Sequence, residues 1–130
     1  MEVVIDTSAI LAVILDEPER DRLIEMVSKS VLIGPGSIPW EVGNAFSAMI
    51  RRNRLSLEAA IEGIEIFKKI QIQFIEPDYA HVMKLCFDNN TYAYDAYFLD
   101  CAIRFKAPLL TLDKNLKSIA QMANIVVWEA

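Results

Sequence analysis

The chain has 130 residues, 54% of them apolar, enough to bury one core of helices packed on a sheet, so residues 1–130 read as a single domain. Cys86 and Cys101 are too far apart for a Cys-x-x-Cys pair and His81 is the only histidine, which argues against a zinc site or a disulfide framework. The formal net charge of −5 runs against the basic excess usual in nucleic-acid binders; Glu2 stands where a signal peptide carries positive charge, and the longest apolar run, Ala9–Leu15, is far short of a membrane span, so a soluble cytoplasmic protein with no membrane contact is expected.

Val3-Val4-Ile5 is a contiguous β-branched run, the pattern of a strand covered on both faces of a parallel sheet, and Asp6 is the first residue beyond it. A short apolar helix from Ala9 to Leu15 follows, broken at Asp16-Glu17, and Pro18 opens a second helical segment carrying Leu23, Ile24, Met26 and Val27. Val31-Leu32-Ile33 reads as a strand ended by Gly34-Pro35-Gly36, and Ser37 with Pro39 announces a helix to about Asn53 with Glu41 in its first turn. Ser56 caps a helix from Leu57 to about Lys69, and Ile72–Ile75 alternates as a strand. Pro77-Asp78 begins a helix to about Phe87; Asn89-Asn90-Thr91 is a loop and cap, and the next helix spans about Tyr92 to Phe105 with Asp95 in its first turn. The strand Leu109–Leu112 ends at Asp113, a helix runs from Lys114 to about Met122, and Ile125-Val126-Val127 closes the alternation. Strands interleaved with helices of this length predict an α/β domain, a three-layer α/β/α sandwich on a mostly parallel central sheet.

Crossovers between parallel strands return the chain, so each helix begins at the edge where the preceding strand ended. Asp6, Glu41, Asp95 and Asp113 should therefore face one edge of the sheet, in the crevice where open α/β sheets bind ligands. Helix capping accounts for Asp6 alone, and the helix macrodipole for Glu41 and Asp95 separately. The macrodipole does not explain acids at two strand ends as well. Four converging carboxylates repel one another unless a cation shares the site, and an oxygen-only set favours a hard ion such as Mg²⁺ or Mn²⁺. Such an ion points to metal-assisted phosphodiester hydrolysis. Setting the four acids aside reduces the formal charge from −5 to −1, so the acidity sits largely in the site and no longer argues against a nucleic-acid substrate.

These stretches resemble the PIN domain, and among PIN domains the VapC-type ribonuclease toxins. The resemblance covers nearly the whole chain. It is carried by Val4-Ile5-Asp6-Thr7-Ser8, by Glu41-Val42-Gly43-Asn44-Ala45, by Tyr94-Asp95-Ala96 with Leu99 and Ala102, and by Thr111-Leu112-Asp113-Lys114-Asn115-Leu116. It implies an endoribonuclease dependent on Mg²⁺ or Mn²⁺ that cleaves single-stranded RNA, with the metal held chiefly by Asp6 and Asp95 and the catalytic site completed by Glu41 and Asp113. It also implies a homodimer and inhibition by a cognate antitoxin protein. Asp100 departs from the pattern: five residues beyond Asp95 is about 140° around the helix, so it is expected to face solvent or to support the site without coordinating.

Thr7 and Ser8 are expected to orient Asp6 or touch phosphate, with plain N-capping as the alternative, and Asn44 shares a helical face with Glu41 from which its amide reaches a neighbouring carboxylate or metal-bound water. Lys114, next to Asp113, is the best candidate for an RNA phosphate contact; Arg51, Arg52, Arg54 and Lys117 read as a solvated face. Tyr92, Tyr94 and Tyr97 suit base stacking, but they, Trp40 and His81 fit core or interface better. A non-catalytic PIN-like binding module, and a free-standing nuclease acting also on DNA, are the competing functions.

Overall fold

The run Val3-Val4-Ile5 forms β1 (Glu2–Ile5) with all three side chains buried, as a strand covered on both faces requires. In this computed structural model, which describes residues 1–130, the chain continues as α1 (Thr7–Ile14), α2 (Arg20–Val27), β2 (Val31–Pro35), α3 (Ile38–Arg51), α4 (Leu57–Lys69), β3 (Ile72–Ile75), α5 (Tyr79–Asn89), α6 (Ala93–Phe105), β4 (Leu109–Leu110), α7 (Lys114–Met122) and β5 (Val127–Trp128). No helix is long and apolar enough to cross a membrane.

The sheet has the order β3-β2-β1-β4-β5 and every neighbouring pair is parallel, with Val3 opposite Leu32 on one side of β1 and Val4 opposite Leu109 on the other. The chain moves outward from β1 to β3, then returns past β1 to β4. The order therefore reverses between β1 and β4, which makes the crevice beyond their carboxyl ends the topological switch point of the sheet. On one side α1 packs against α2, α3 and α4; on the return leg α6 lies on β1 and β2 and carries α5. The α/β sandwich expected from the alternation is present.

The core joins the sheet residues Val3, Val4, Ile33, Leu109 and Leu110 to Ile10, Val42, Phe46, Val82, Phe98 and Leu99 from the helices. Gly63 admits α4 close to α3: a Cβ there would stand 2.8 Å from Phe46 Cζ. Helix α3 buries Ile38, Val42 and Phe46, whereas α4 leaves Leu57 and Ile61 exposed.

Several boundaries differ from the sequence reading. Strand β2 continues through Gly34 and Pro35, pairing with Phe74 and Ile75, instead of stopping at Ile33. Strand β4 ends at Leu110, not Leu112, because the next amides leave the ladder: Leu112 N donates to Ser8 Oγ and Asp113 N to Thr111 Oγ1, both at 2.9 Å. Helix α2 starts at Arg20 and not at Pro18, after a turn closed by Arg20 N on Glu17 O. Strand β5 lies later than expected because Ile125 N still closes on Ala120 O at the end of α7.

Candidate active site

Asp6 ends β1 in extended conformation and caps α1, its Oδ1 accepting from Ala9 N at 3.0 Å. The same oxygen accepts from Ser8 Oγ at 2.7 Å, and Oδ2 accepts from Thr111 Oγ1 at 2.5 Å. Capping and site formation are thus one arrangement. Asp6 is only 4% exposed, and burial pushes its carboxyl up to about 6 against the hydrogen bonds from Thr111, Ser8 and Ala9, with a smaller contribution from the negative charge of Asp113. Each of the two hydroxyls gives its single proton to Asp6 and accepts a backbone N–H from the segment after β4, so their own 3.3 Å approach is a packing contact.

Glu41 stands in the first turn of α3, where Ser37 Oγ donates to Oε2 at 2.7 Å and Thr7 Oγ1 donates to Oε1 at 3.1 Å. Burial raises its carboxyl above the ordinary value in spite of both hydroxyls, and the charge of Asp95 adds to the rise. Asp95, half-buried in the first turn of α6, accepts from Thr91 Oγ1 at 3.4 Å and is raised by burial and then by Asp113. Asp113 is exposed and caps α7, its Oδ1 accepting from Asn115 N at 2.8 Å and Leu116 N at 3.1 Å.

The four acids are electrostatically linked: the charge of Asp95 acts on Glu41, and the charge of Asp113 acts on both Asp95 and Asp6. None is ion-paired: every salt bridge in the molecule lies elsewhere. No three of them stand close enough to enclose an ion by themselves. An all-oxygen donor set in which the carboxyls of Asp6, Glu41 and Asp95 are raised, with no basic partner, nevertheless fits a hard divalent cation that retains several waters. Asp6, Asp95, Glu41 and Asp113 are the residues that would hold it.

The supporting residues divide. Thr7 and Ser8 are in place, Thr7 on Glu41 and not on Asp6, and Ser8 on Asp6. Asn44 lines a depression with Thr7, Trp40, Glu41, Ala45 and Tyr94, its side chain exposed. Lys114 is exposed beside Asp113, whereas Lys117 is paired with Glu129. The cluster Arg51, Arg52 and Arg54 begins about 15 Å along α3 from Glu41, too far to serve the same phosphate.

Asp100 neither faces solvent nor supports the acids. It is 1% exposed and points to α5, where His81 Nδ1 lies 2.7 Å from Oδ1, Arg104 Nε and Nη2 each donate at 3.0 Å and Asp78 N donates at 3.3 Å. Burial pushes its carboxyl up, but these donors and the Arg104 charge hold it below the ordinary value. Trp40 is not core either, being 74% exposed at the start of α3, and Tyr92 and Tyr94 are exposed too.

Sequence reasoning missed Ser37, Thr91 and Thr111 as positioning residues. The signal was present: a hydroxyl stands four residues before each helical acid, Ser37 before Glu41 and Thr91 before Asp95, so that it lies on the same helical face. Thr111 stands two residues before Asp113, on the buried side of the strand end.

The family model of the PIN domain matches residues 3–122. The chain belongs to the PIN domain family. The PIN fold is shared with PAE2754 from Pyrobaculum aerophilum (TM-score 0.73, 21% identity, covering 93% of this chain and 81% of that one). It is shared equally with VapBC2 from Rickettsia felis bound to a DNA fragment from their promoter (TM-score 0.72, 15% identity, 98% of each chain). VapC20 of Mycobacterium tuberculosis, a toxin that cleaves the sarcin–ricin loop, also matches (TM-score 0.65, 12% identity, 98% of this chain and 99% of that one). No curated protein matches the sequence. At these identities the agreement is one of fold.

Proposed function

We propose that this PIN domain is a metal-dependent endoribonuclease that cleaves single-stranded RNA, with Mg²⁺ or Mn²⁺ as cofactor, and that it is the toxin of a toxin–antitoxin pair. The carrying observation is the uncompensated group of Asp6, Glu41, Asp95 and Asp113, the first three of them raised, at the crevice between β1 and β4. When bound, the cation supplies Lewis-acid activation of water and charge stabilisation of the leaving oxygen.

The chain's own residues supply placement. Thr111 and Ser8 hold both oxygens of Asp6, and Ser37 and Thr7 hold both oxygens of Glu41, so neither carboxylate has to be ordered when the substrate arrives. Lys114 is the nearest free basic side chain to Asp113 in sequence and suits an RNA phosphate. Asn44 offers an amide beside Glu41. A cognate antitoxin, supported by the fold shared with VapBC and VapC proteins, belongs to the same reading, as do a homodimer and a cytoplasmic location.

The deciding experiment is cleavage of end-labelled single-stranded RNA and matched DNA in Mg²⁺, Mn²⁺ or chelator by wild type, Asp6→Asn and Asp95→Asn prepared identically. RNA cleavage that needs metal and is lost in both variants is expected. Equal cutting by wild type and variants would defeat the reading, as would preferential cutting of DNA.

A further inference from the structure

Beside the acids lies an aromatic cavity that the hydrolysis itself does not use. It measures about 350 Å³, at the small end of ligand-sized cavities, and Trp40, Phe74, Tyr79, Tyr94 and Tyr97 line it. Tyr97 meets Tyr79 and Tyr94 edge to face, with centroids 6.2 and 5.9 Å away, which ties the three rings into one cluster. Trp40, Tyr94, Tyr79 and Phe74 are nonetheless 74%, 59%, 57% and 47% exposed. Aromatic surface left open to this extent around one concavity marks a binding site more than a packing surplus.

Two relations identify the occupant. The cavity adjoins the acidic site on its Glu41 side: Ser37 lines it while donating to Glu41, and Trp40 and Tyr94 also line the depression that holds Thr7, Glu41 and Asn44. A polymer whose phosphate sits at the carboxylates therefore passes a neighbouring residue over these rings. The cavity also contains no basic side chain, and its only charged lining residue is Glu76, so it disfavours phosphate and suits a flat, uncharged π-face. We infer that this cavity is a base-stacking subsite, in which Trp40 and Tyr94 hold an unpaired nucleobase next to the phosphate to be cleaved. The inference rests on the nuclease reading for the position of that phosphate.

The test is fluorescence anisotropy with a labelled single-stranded RNA of about ten nucleotides and its fully abasic counterpart, in chelator and in Ca²⁺, using wild type, Trp40→Ala, Trp40→Phe and Tyr94→Ala; RNA cleavage by wild type and Asp6→Asn is followed in parallel. Stacking predicts that wild type binds the intact RNA roughly 5- to 100-fold more tightly than the abasic one, that each alanine variant removes most of that ratio, and that Trp40→Phe keeps it. A ratio near one for wild type, or one unchanged in both alanine variants, overturns the subsite even if Asp6-dependent cleavage is intact. A full ratio without Asp6-dependent cleavage keeps the subsite and defeats the nuclease. If Trp40→Ala instead changes the elution volume on size exclusion with the ratio unchanged, a second copy of the chain covers the rings and the inference fails.

Discussion

Thr111 Oγ1 donates to Asp6 Oδ2 at 2.5 Å, joining the end of β4 to the end of β1 through a hydroxyl that also accepts Asp113 N. The bond crosses the one place where the strand order reverses. It positions the first acid and, through the backbone of Asp113, the fourth.

Thr111→Val keeps the shape of this side chain and removes both bonds. Leaving a buried carboxylate and a backbone N–H each short of a partner should cost about 1–3 kcal/mol, read as a lower urea midpoint at unchanged slope. Because the lost bond is one that lowers Asp6, the carboxyl should titrate higher still by NMR. Unchanged stability would mean that water replaces the hydroxyl without loss.

Asp6 predicts an unusual pH dependence. Its carboxyl is raised from 3.8 to about 6 on folding, so its contribution is fully present below about pH 4 and is lost as pH rises through about 6. A shift of that size corresponds to roughly 3 kcal/mol, so the metal-free protein should lose up to that much stability from this group between pH 4 and 7. Asp6→Asn retains a capping side chain and should flatten this fall, leaving the metal-free variant more stable than wild type near pH 7. Thermal unfolding across pH in chelator tests both.

Divalent cations should reverse the same loss. Mn²⁺ or Mg²⁺ at pH 7.5 is expected to raise the wild-type melting temperature in a concentration-dependent way and to leave the Asp6→Asn/Asp95→Asn double variant unmoved. Protons compete for the raised carboxyls, so apparent metal affinity by calorimetry should weaken from pH 7.5 to pH 5.5. Equal affinity at the two pH values would remove Asp6 from the ligand set.

The Asp100 cluster should behave as a clasp between α5 and α6, independent of the chemistry. Arg104→Met strands a buried charge and should cost roughly 2–4 kcal/mol, whereas adding Asp100→Asn to it should recover part of that loss. RNA cleavage per folded molecule should stay at the wild-type level in both. A selective fall in cleavage at full stability would place Asp100 in the catalytic machinery after all.

Lys114→Ala should weaken RNA binding alike for all sequences and lower the salt dependence by about one counterion, with thermal stability unchanged. A sequence-dependent effect would point instead to base contact.

The order of elements, the parallel sheet and the edge to which Asp6, Glu41, Asp95 and Asp113 belong were all legible in the chain, because β-branched runs, helix starts and right-handed return of the backbone are local or nearly local properties. What those properties do not carry is which hydroxyl meets which carboxylate. Thr111 and Asp6 are 105 residues apart and meet only because β4 comes to lie beside β1. The side of α6 to which Asp100 turns was decided by the docking of α5, which supplies His81 and the Asp78 amide; around an isolated helix Asp100 is simply off the Asp95 face. Trp40, expected in the core or at an interface, lies on the surface, while Ile38 and Val42 fill the inward face of α3 at that end. Residue type and spacing thus determined the sheet edge at which the acids stand, whereas their partners and burial, and the raised carboxyls of Asp6, Glu41 and Asp95, were decided by long-range packing, which alone sets the distance between groups far apart in sequence.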